Sequence, residues 1–331
     1  MTNIIRGWLA GGALVSVSIV VFTSVSAQPA PPRSPQAVPS QTAPAVYLDY
    51  DQAALDRAYD QQPWAPNQGE IGRRRNLKRE LAIARLGRPQ RFSYGPTEIE
   101  GLDVYATAAA GAPIHVHIHG GAWQFGNAGG AADHAEMNVD AGVNFVAIDF
   151  TNVIETDGDL APMAEQVRRA VAWVYENAAT FGGDPDRLYL SGHSSGGHLA
   201  AVVLTTDWEA EYGLPSDLIK GGILISGMFD LYPVSLSSRR TYVDFTDEVV
   251  QDLSPQRHID KLTAPVTIVY GTQETPEFQR QSRDFAAAIA AAGKPVRLVV
   301  AEGYNHFEMA EDLGNPYGVV GRSVLAQLGI D

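Results

Sequence analysis

The chain has 331 residues with 45% hydrophobic content, a formal net charge of −14 and no cysteine. The length suits one large α/β domain after its N-terminal segments are set aside. The acidity argues against a nucleic-acid partner, and the missing cysteine excludes disulfides, thiolate metal sites and a lipobox anchor.

Residues 1–27 read as a secretory signal peptide. Arg6 gives the positive start, Trp8 to Thr23 is mostly apolar, and Val25-Ser26-Ala27 offers small residues before a cleavage point at Gln28. An uncleaved anchor is the rival reading, although Gly and Ser interrupt the apolar stretch. Residues 28–45 hold six prolines among Gln, Ser and Ala, the composition of an extended linker. The folded domain is therefore placed at 46–331, in a protein expected to be secreted or periplasmic with no stable membrane span after cleavage.

Asp51 to Asp60 and Arg73 to Leu86 read as helices, and Arg91–Tyr94 with Leu102–Ala108 as an antiparallel strand pair. Strands then alternate with helices: Ile114–Ile118, Phe145–Asp149, Arg187–Leu190, Gly222–Ile225, Val266–Tyr270 and Val296–Val300. Val167, Ala170, Val171, Val174 and Tyr175 recur at helical spacing within a helix expected over Met163–Thr180. This alternation demands a mostly parallel sheet with helices on both faces. Residues 231–253 break the rhythm, and with the N-terminal helices they are expected to form a small helical cap.

The most informative segment follows the strand at 187–190. Gly192-His193-Ser194-Ser195-Gly196 fits G-x-S-x-G, the sharp strand-to-helix turn that exposes a nucleophilic serine. The frame selects Ser194, because Ser195 in that role requires glycine where His193 stands. His119-Gly120-Gly121-Ala122-Trp123, after the strand ending at Ile118, is the kind of turn that supplies oxyanion donors. The donors are assigned to the backbone N–H groups of Gly121, Ala122 and Ser195. An acid and a histidine are then expected in loops after later strands. Glu274 follows the strand 266–270 and His306 the strand 296–300. Glu277 and Asp284 are nearby alternatives, but both fall on the helix that starts near Thr275. His115 and His117 alternate on one strand face with His119, a pattern that can bind metal, but no further ligand cluster sits at a compatible place. His193 and His198 are read as packing residues.

These motifs resemble the α/β-hydrolases of the kynurenine formamidase and hormone-sensitive-lipase-like esterase group. The matching segments are HGGAW at 119–123, GHSSGGHL at 192–199, SGMFDLYP at 226–233, GTQETPEF at 271–278 and GYNHFE at 303–308. The resemblance implies an α/β-hydrolase fold and a Ser194–His306–Glu274 triad. Two features depart from the common pattern: Ala122 in place of a third glycine, and Glu rather than Asp as the acid. Trp123, Phe229 and Phe307 are the expected substrate contacts. Together these readings point to a serine hydrolase of small apolar or aromatic esters, with an N-formyl aryl amine as the alternative substrate. A non-catalytic protein on the same fold is a distant third, since such proteins usually lose a triad member. No cofactor and no metal are called for, the partner is a small-molecule substrate, and the oligomeric state is left open.

Overall fold

The computed structural model describes residues 44–330. The signal-peptide reading of 1–27 and nearly all of the linker at 28–45 lie outside the described residues.

Eight strands form one sheet: β1 (Gln90–Ser93), β2 (Gly101–Tyr105), β3 (Ala112–Ile118), β4 (Asn144–Ile148), β5 (Gly183–His193), β6 (Ile219–Ile225), β7 (Val266–Gly271) and β8 (Val296–Ala301). The spatial order is β1-β2-β4-β3-β5-β6-β7-β8. β1 pairs antiparallel with β2, and β2 with β4, while every other pairing is parallel. Eleven helices accompany the described strands: α1 (Gln52–Ala58), α2 (Gln68–Leu86), α3 (Ala135–Asp140), α4 (Ala161–Asn177), α5 (Ser195–Leu204), α6 (Trp208–Tyr212), α7 (Leu231–Leu236), α8 (Asp247–Asp252), α9 (Pro276–Ala291), α10 (His306–Asp312) and α11 (Val319–Gln327).

Side-chain alternation along the strands sorts the core into two layers. Val146, Ile148, Leu188, Leu190, Leu224, Val266 and Ile268 pack on one face with Val167, Val171 and Val174 of α4, Leu199 and Val203 of α5, and Phe285 and Ile289 of α9. Ile223, Ile225 and Val269 point the other way, onto Met309 of α10 and Val320 and Val324 of α11. Phe145 and Ala147 extend that second face toward Ala131, Ala132 and Ala135. A one-residue slip in any central strand exchanges the two layers, so the register is firmly set.

The cap expected from 231–253 forms above the carboxyl ends of the parallel strands. It is stitched to the N-terminal segment by two hydrogen bonds. Gln52 Nε2 donates to the Leu236 carbonyl at 2.8 Å, and Arg239 Nη2 to the Tyr59 carbonyl at 3.0 Å. Among the described residues no helix is long and apolar enough to cross a membrane.

Candidate active site

Ser194 sits between β5 and α5 with φ 59° and ψ −124°. A non-glycine residue rarely holds such a backbone, and it does so here because the turn is boxed in. A Cβ placed on Gly192 falls 2.0 Å from the Gly196 carbonyl oxygen. The Ser194 N–H donates to the Ile225 carbonyl at 2.8 Å, which anchors the turn to the neighbouring strand. The result is a nearly buried serine whose Oγ faces a cavity of about 840 Å³.

His306 is the first residue of α10, and Asn305 fixes that helix start with a capping box to Glu308. Asn67 adds a brace from the N-terminal side, donating to Glu308 at 2.7 Å and accepting from Asn305 at 2.8 Å. His306 Nε2 lies 2.9 Å from Ser194 Oγ, and Nδ1 lies 2.5 Å from Glu274 Oε1. A carboxylate only accepts, so Nδ1 carries the proton and Nε2 presents its lone pair to the serine hydroxyl. Glu274 is fully buried, and its Oε2 accepts from Ser226 Oγ at 2.9 Å and the Gly271 N–H at 2.8 Å. Three donors thus hold both oxygens of this carboxylate. The alternatives at 277 and 284 are engaged elsewhere. Glu277 accepts from Tyr59 Oη at 3.0 Å and Arg280 Nε at 2.9 Å, and Asp284 accepts from Arg280 Nη1 at 2.6 Å.

The turn after β3 runs through three consecutive positive φ angles: Gly121 131°, Ala122 56° and Trp123 63°. This winding leaves the Gly121 and Ala122 N–H groups without an acceptor among the described residues, beside the serine. The N–H of Ser195, at the first position of α5, has no intrahelical acceptor either. Ser195 contributes more than that N–H, because its Oγ accepts from the Trp123 N–H at 3.2 Å and so ties the turn to α5.

Comparison with known proteins fits this geometry. Residues 102–230 match the sequence model of the BD-FAE family. Kynurenine formamidase of Danio rerio is 33% identical over 243 residues, spanning 71% of this chain and 80% of that protein. The chain belongs to the kynurenine formamidase family of α/β-hydrolases. Esterase LipC of Mycobacterium tuberculosis is a more distant relative, 25% identical over 62% of this chain and 56% of its own length. Esterase Est2 of Thermogutta terrifontis, solved with propionate bound, shares the fold with a TM-score of 0.61 and 24% identity, covering 74% of this chain and 96% of that one. The protein is thus a hydrolase related to both esterases and formamidases.

Within this hydrolase two expected substrate contacts are corrected. Trp123 and Phe229 do not line the cavity. Trp123 is 2% exposed, and its indole N–H donates to His198 Nδ1 at 3.2 Å. Phe229 is wholly buried and stacks on Phe285 with ring centroids 4.4 Å apart. Both are aromatic residues in motif loops whose rings turn inward to fill the core. Phe307 does line the cavity, together with Phe125, Tyr59 and Tyr242.

The histidines also divide. His198 is satisfied on both nitrogens, accepting from Trp123 and donating Nε2 to the Leu253 carbonyl at 2.7 Å. Burial pushes it down to about 4, so it stays neutral. His193 departs from the packing role expected of it. It lines the cavity, its ring lies 4.5 Å from that of His306, and its buried Nε2 has no partner. Burial, and then the neighbouring His306, hold it well below the usual imidazole range. A neutral ring here spares an imidazolium at His306 a like charge. His115 and His117 share Ser191 Oγ at 2.7 and 2.9 Å, and among the described residues no group of three or more His, Asp or Glu is arranged to hold a metal ion.

Proposed function

We propose that the protein is a serine hydrolase that cleaves small apolar or aromatic carboxylic esters through an acyl-enzyme. The observation that carries this reading is the unbroken relay from Ser194 Oγ through His306 to Glu274, at 2.9 and 2.5 Å, opening onto one cavity with the free N–H groups of Gly121 and Ala122. In this reading Ser194 Oγ attacks the ester carbonyl while His306 Nε2 takes its proton. The carbonyl oxygen gathers negative charge opposite the N–H groups of Gly121, Ala122 and Ser195. The imidazolium then protonates the departing alcohol, paired with Glu274 throughout. Water repeats the sequence on the acyl-enzyme, with His306 again as base. Every proton is carried by a side chain named here, so the proposal needs neither metal nor cofactor.

A second reading is hydrolysis of an N-formyl aryl amine, favoured by the 33% identity to the zebrafish kynurenine formamidase. The residues act in the same order and an amine leaves in place of an alcohol. A secretory leader at 1–27, as the sequence reads, would carry the protein away from cytosolic tryptophan breakdown, and this reading supports the ester.

The test is a side-by-side assay of the purified protein on p-nitrophenyl acetate, p-nitrophenyl butyrate and N-formylkynurenine, with a fluorophosphonate probe as the label for Ser194. Faster turnover of the esters is expected, with labelling lost in Ser194→Ala and activity retained in EDTA. Faster turnover of N-formylkynurenine moves the assignment to the formamidase. Absence of labelling, or loss of activity in EDTA restored by zinc, overturns the serine mechanism.

A further inference from the structure

Arg239 lies in the cap, in the short turn Ser238–Thr241, and its side chain lines the cavity that holds Ser194 and His306. Two of its five N–H bonds are spoken for. Nη1 donates to Tyr242 Oη at 2.6 Å and Nη2 to the Tyr59 carbonyl at 3.0 Å. Its Nε is buried and has no acceptor among the described residues. Its guanidinium pairs with no carboxylate among those residues. It rests instead over the ring of Trp123, 5.6 Å from the centroid. Trp123 is itself pinned to Ser195 and His198, so the cation is held by the same framework that shapes the donor turn.

A partly buried guanidinium with no counter-ion and an unused N–H is costly unless something supplies the charge. Other arginines of the fold show the contrast by pairing with carboxylates: Arg75 donates to Asp133 at 2.7 Å, and Arg74 to Glu311 at 2.9 Å. The charge around the cavity points the same way. With Arg75 neutralised by Asp133, its wall still carries Arg57, Arg79 and Arg239 against Asp56 and Asp60, a surplus of positive charge in a chain whose net charge is −14.

We propose that Arg239 is a specificity determinant that binds a carboxylate carried by the substrate, so that the preferred substrates are small acyl compounds bearing an anionic group away from the scissile bond. The proposal rests on the hydrolase reading above and narrows its substrate class. A guanidinium favours carboxylate through paired, charge-assisted hydrogen bonds, which lysine reproduces only in part.

The test uses two matched pairs of esters on the full-length protein. One pair is 4-nitrophenyl hydrogen glutarate and 4-nitrophenyl methyl glutarate. The other is 4-acetoxybenzoate and its methyl ester. Wild type is expected to favour the acid over its neutral partner in one pair by about ten- to hundredfold in kcat/KM. Arg239→Gln brings that ratio to about one, and Arg239→Lys retains part of it. No preference in either pair, or a ratio unchanged in Arg239→Gln, overturns the proposal. A loss of activity on acid and ester alike, at constant ratio, also overturns it and leaves Arg239 as a clamp between Tyr59 and Tyr242. Calorimetric binding of 4-hydroxybenzoate gives a readout independent of turnover, with weakening of about tenfold or more expected in Arg239→Gln. If wild type cleaves none of the four esters but Arg239 still governs that binding, the hydrolase reading fails and the anchor stands. If the esters are cleaved and the binding ignores Arg239, the reverse holds. Arg239→Lys carries both measurements should Arg239→Gln fail to fold.

Discussion

Replacing Ser194 by alanine removes the oxygen that lies 2.9 Å from His306 Nε2, and kcat is expected to fall by about 10⁴–10⁶ with the melting temperature kept. Ser195→Ala makes a sharper companion. Its N–H remains, but the hydrogen bond from Trp123 to Ser195 Oγ is lost, and the donor turn loosens. Its expected cost is about tenfold in kcat, the worth of one neutral hydrogen bond. Equal losses in the two variants contradict the different parts given to these neighbours. The two glutamates separate in the same manner. Glu274→Gln takes away the charge that balances the imidazolium, and kcat is expected to drop by about 10³–10⁴. Glu277→Gln leaves kcat close to wild type and lowers the melting temperature, because Tyr59 and Arg280 lose a buried carboxylate. Steady-state kinetics beside thermal melts of all four proteins decide both pairs.

At the scale of elements, the donor turn after β3 depends on a backbone that most residues refuse. Ala122 stands at φ 56°, which a β-branched side chain tolerates poorly. Ala122→Val is expected to cost about 10² in kcat with little change in KM, and Ala122→Gly to stay active. A fully active valine variant removes Ala122 from the donor set. Much of this architecture is legible in the sequence for a physical reason. The parallel strands are short runs of Val, Ile and Leu, each bounded by a glycine-bearing turn, and glycine marks where backbones crowd. The failures are equally physical. The strand expected from Arg187 begins at Gly183, because pairing of Gly183 with Ala112 across a register irregularity draws Asp184 and Pro185 into β5. Helix α2 begins at Gln68, a turn and more before the expected Arg73, because the penalty of Gly69 and Gly72 is overridden by tertiary contacts such as Ile71 in the core. Arg239 escapes notice altogether, and Ser226 is noticed only as the first residue of the matching segment 226–233, with no role given to it. Neither belongs to a spacing pattern, and each gains its meaning only when distant segments fold beside it. Trp123 and Phe229 show the converse, since loop composition cannot tell which way a ring will turn.

Across the whole molecule, a set of neutral buried histidines ties stability to acidity. Burial pushes His115, His134 and His198 down to about 4. In the unfolded chain an imidazole titrates near ~6.5. Between those values the unfolded state binds more protons, so stability falls as the pH falls, by up to about 1.4 kcal/mol per pH unit for each such histidine. Above ~6.5 both states are neutral at these sites and they contribute no slope. Thermal unfolding is therefore expected to shift steeply downward from pH 7 to pH 4.5 and to stay level from pH 7 to pH 9. A melting temperature that ignores the acid range contradicts this account. The order of the strands along the chain has a further consequence for how the molecule comes into being. Ser194 arrives at the end of β5, while Glu274 and His306, its proposed acid and base, follow β7 and β8. A nascent polypeptide halted after β7 carries the serine hydroxyl on a sheet that lacks its last strand and the histidine that follows it. Under the mechanism proposed above, chemical reactivity is thus withheld until the segment that follows β8 has been made and has docked beside Ser194.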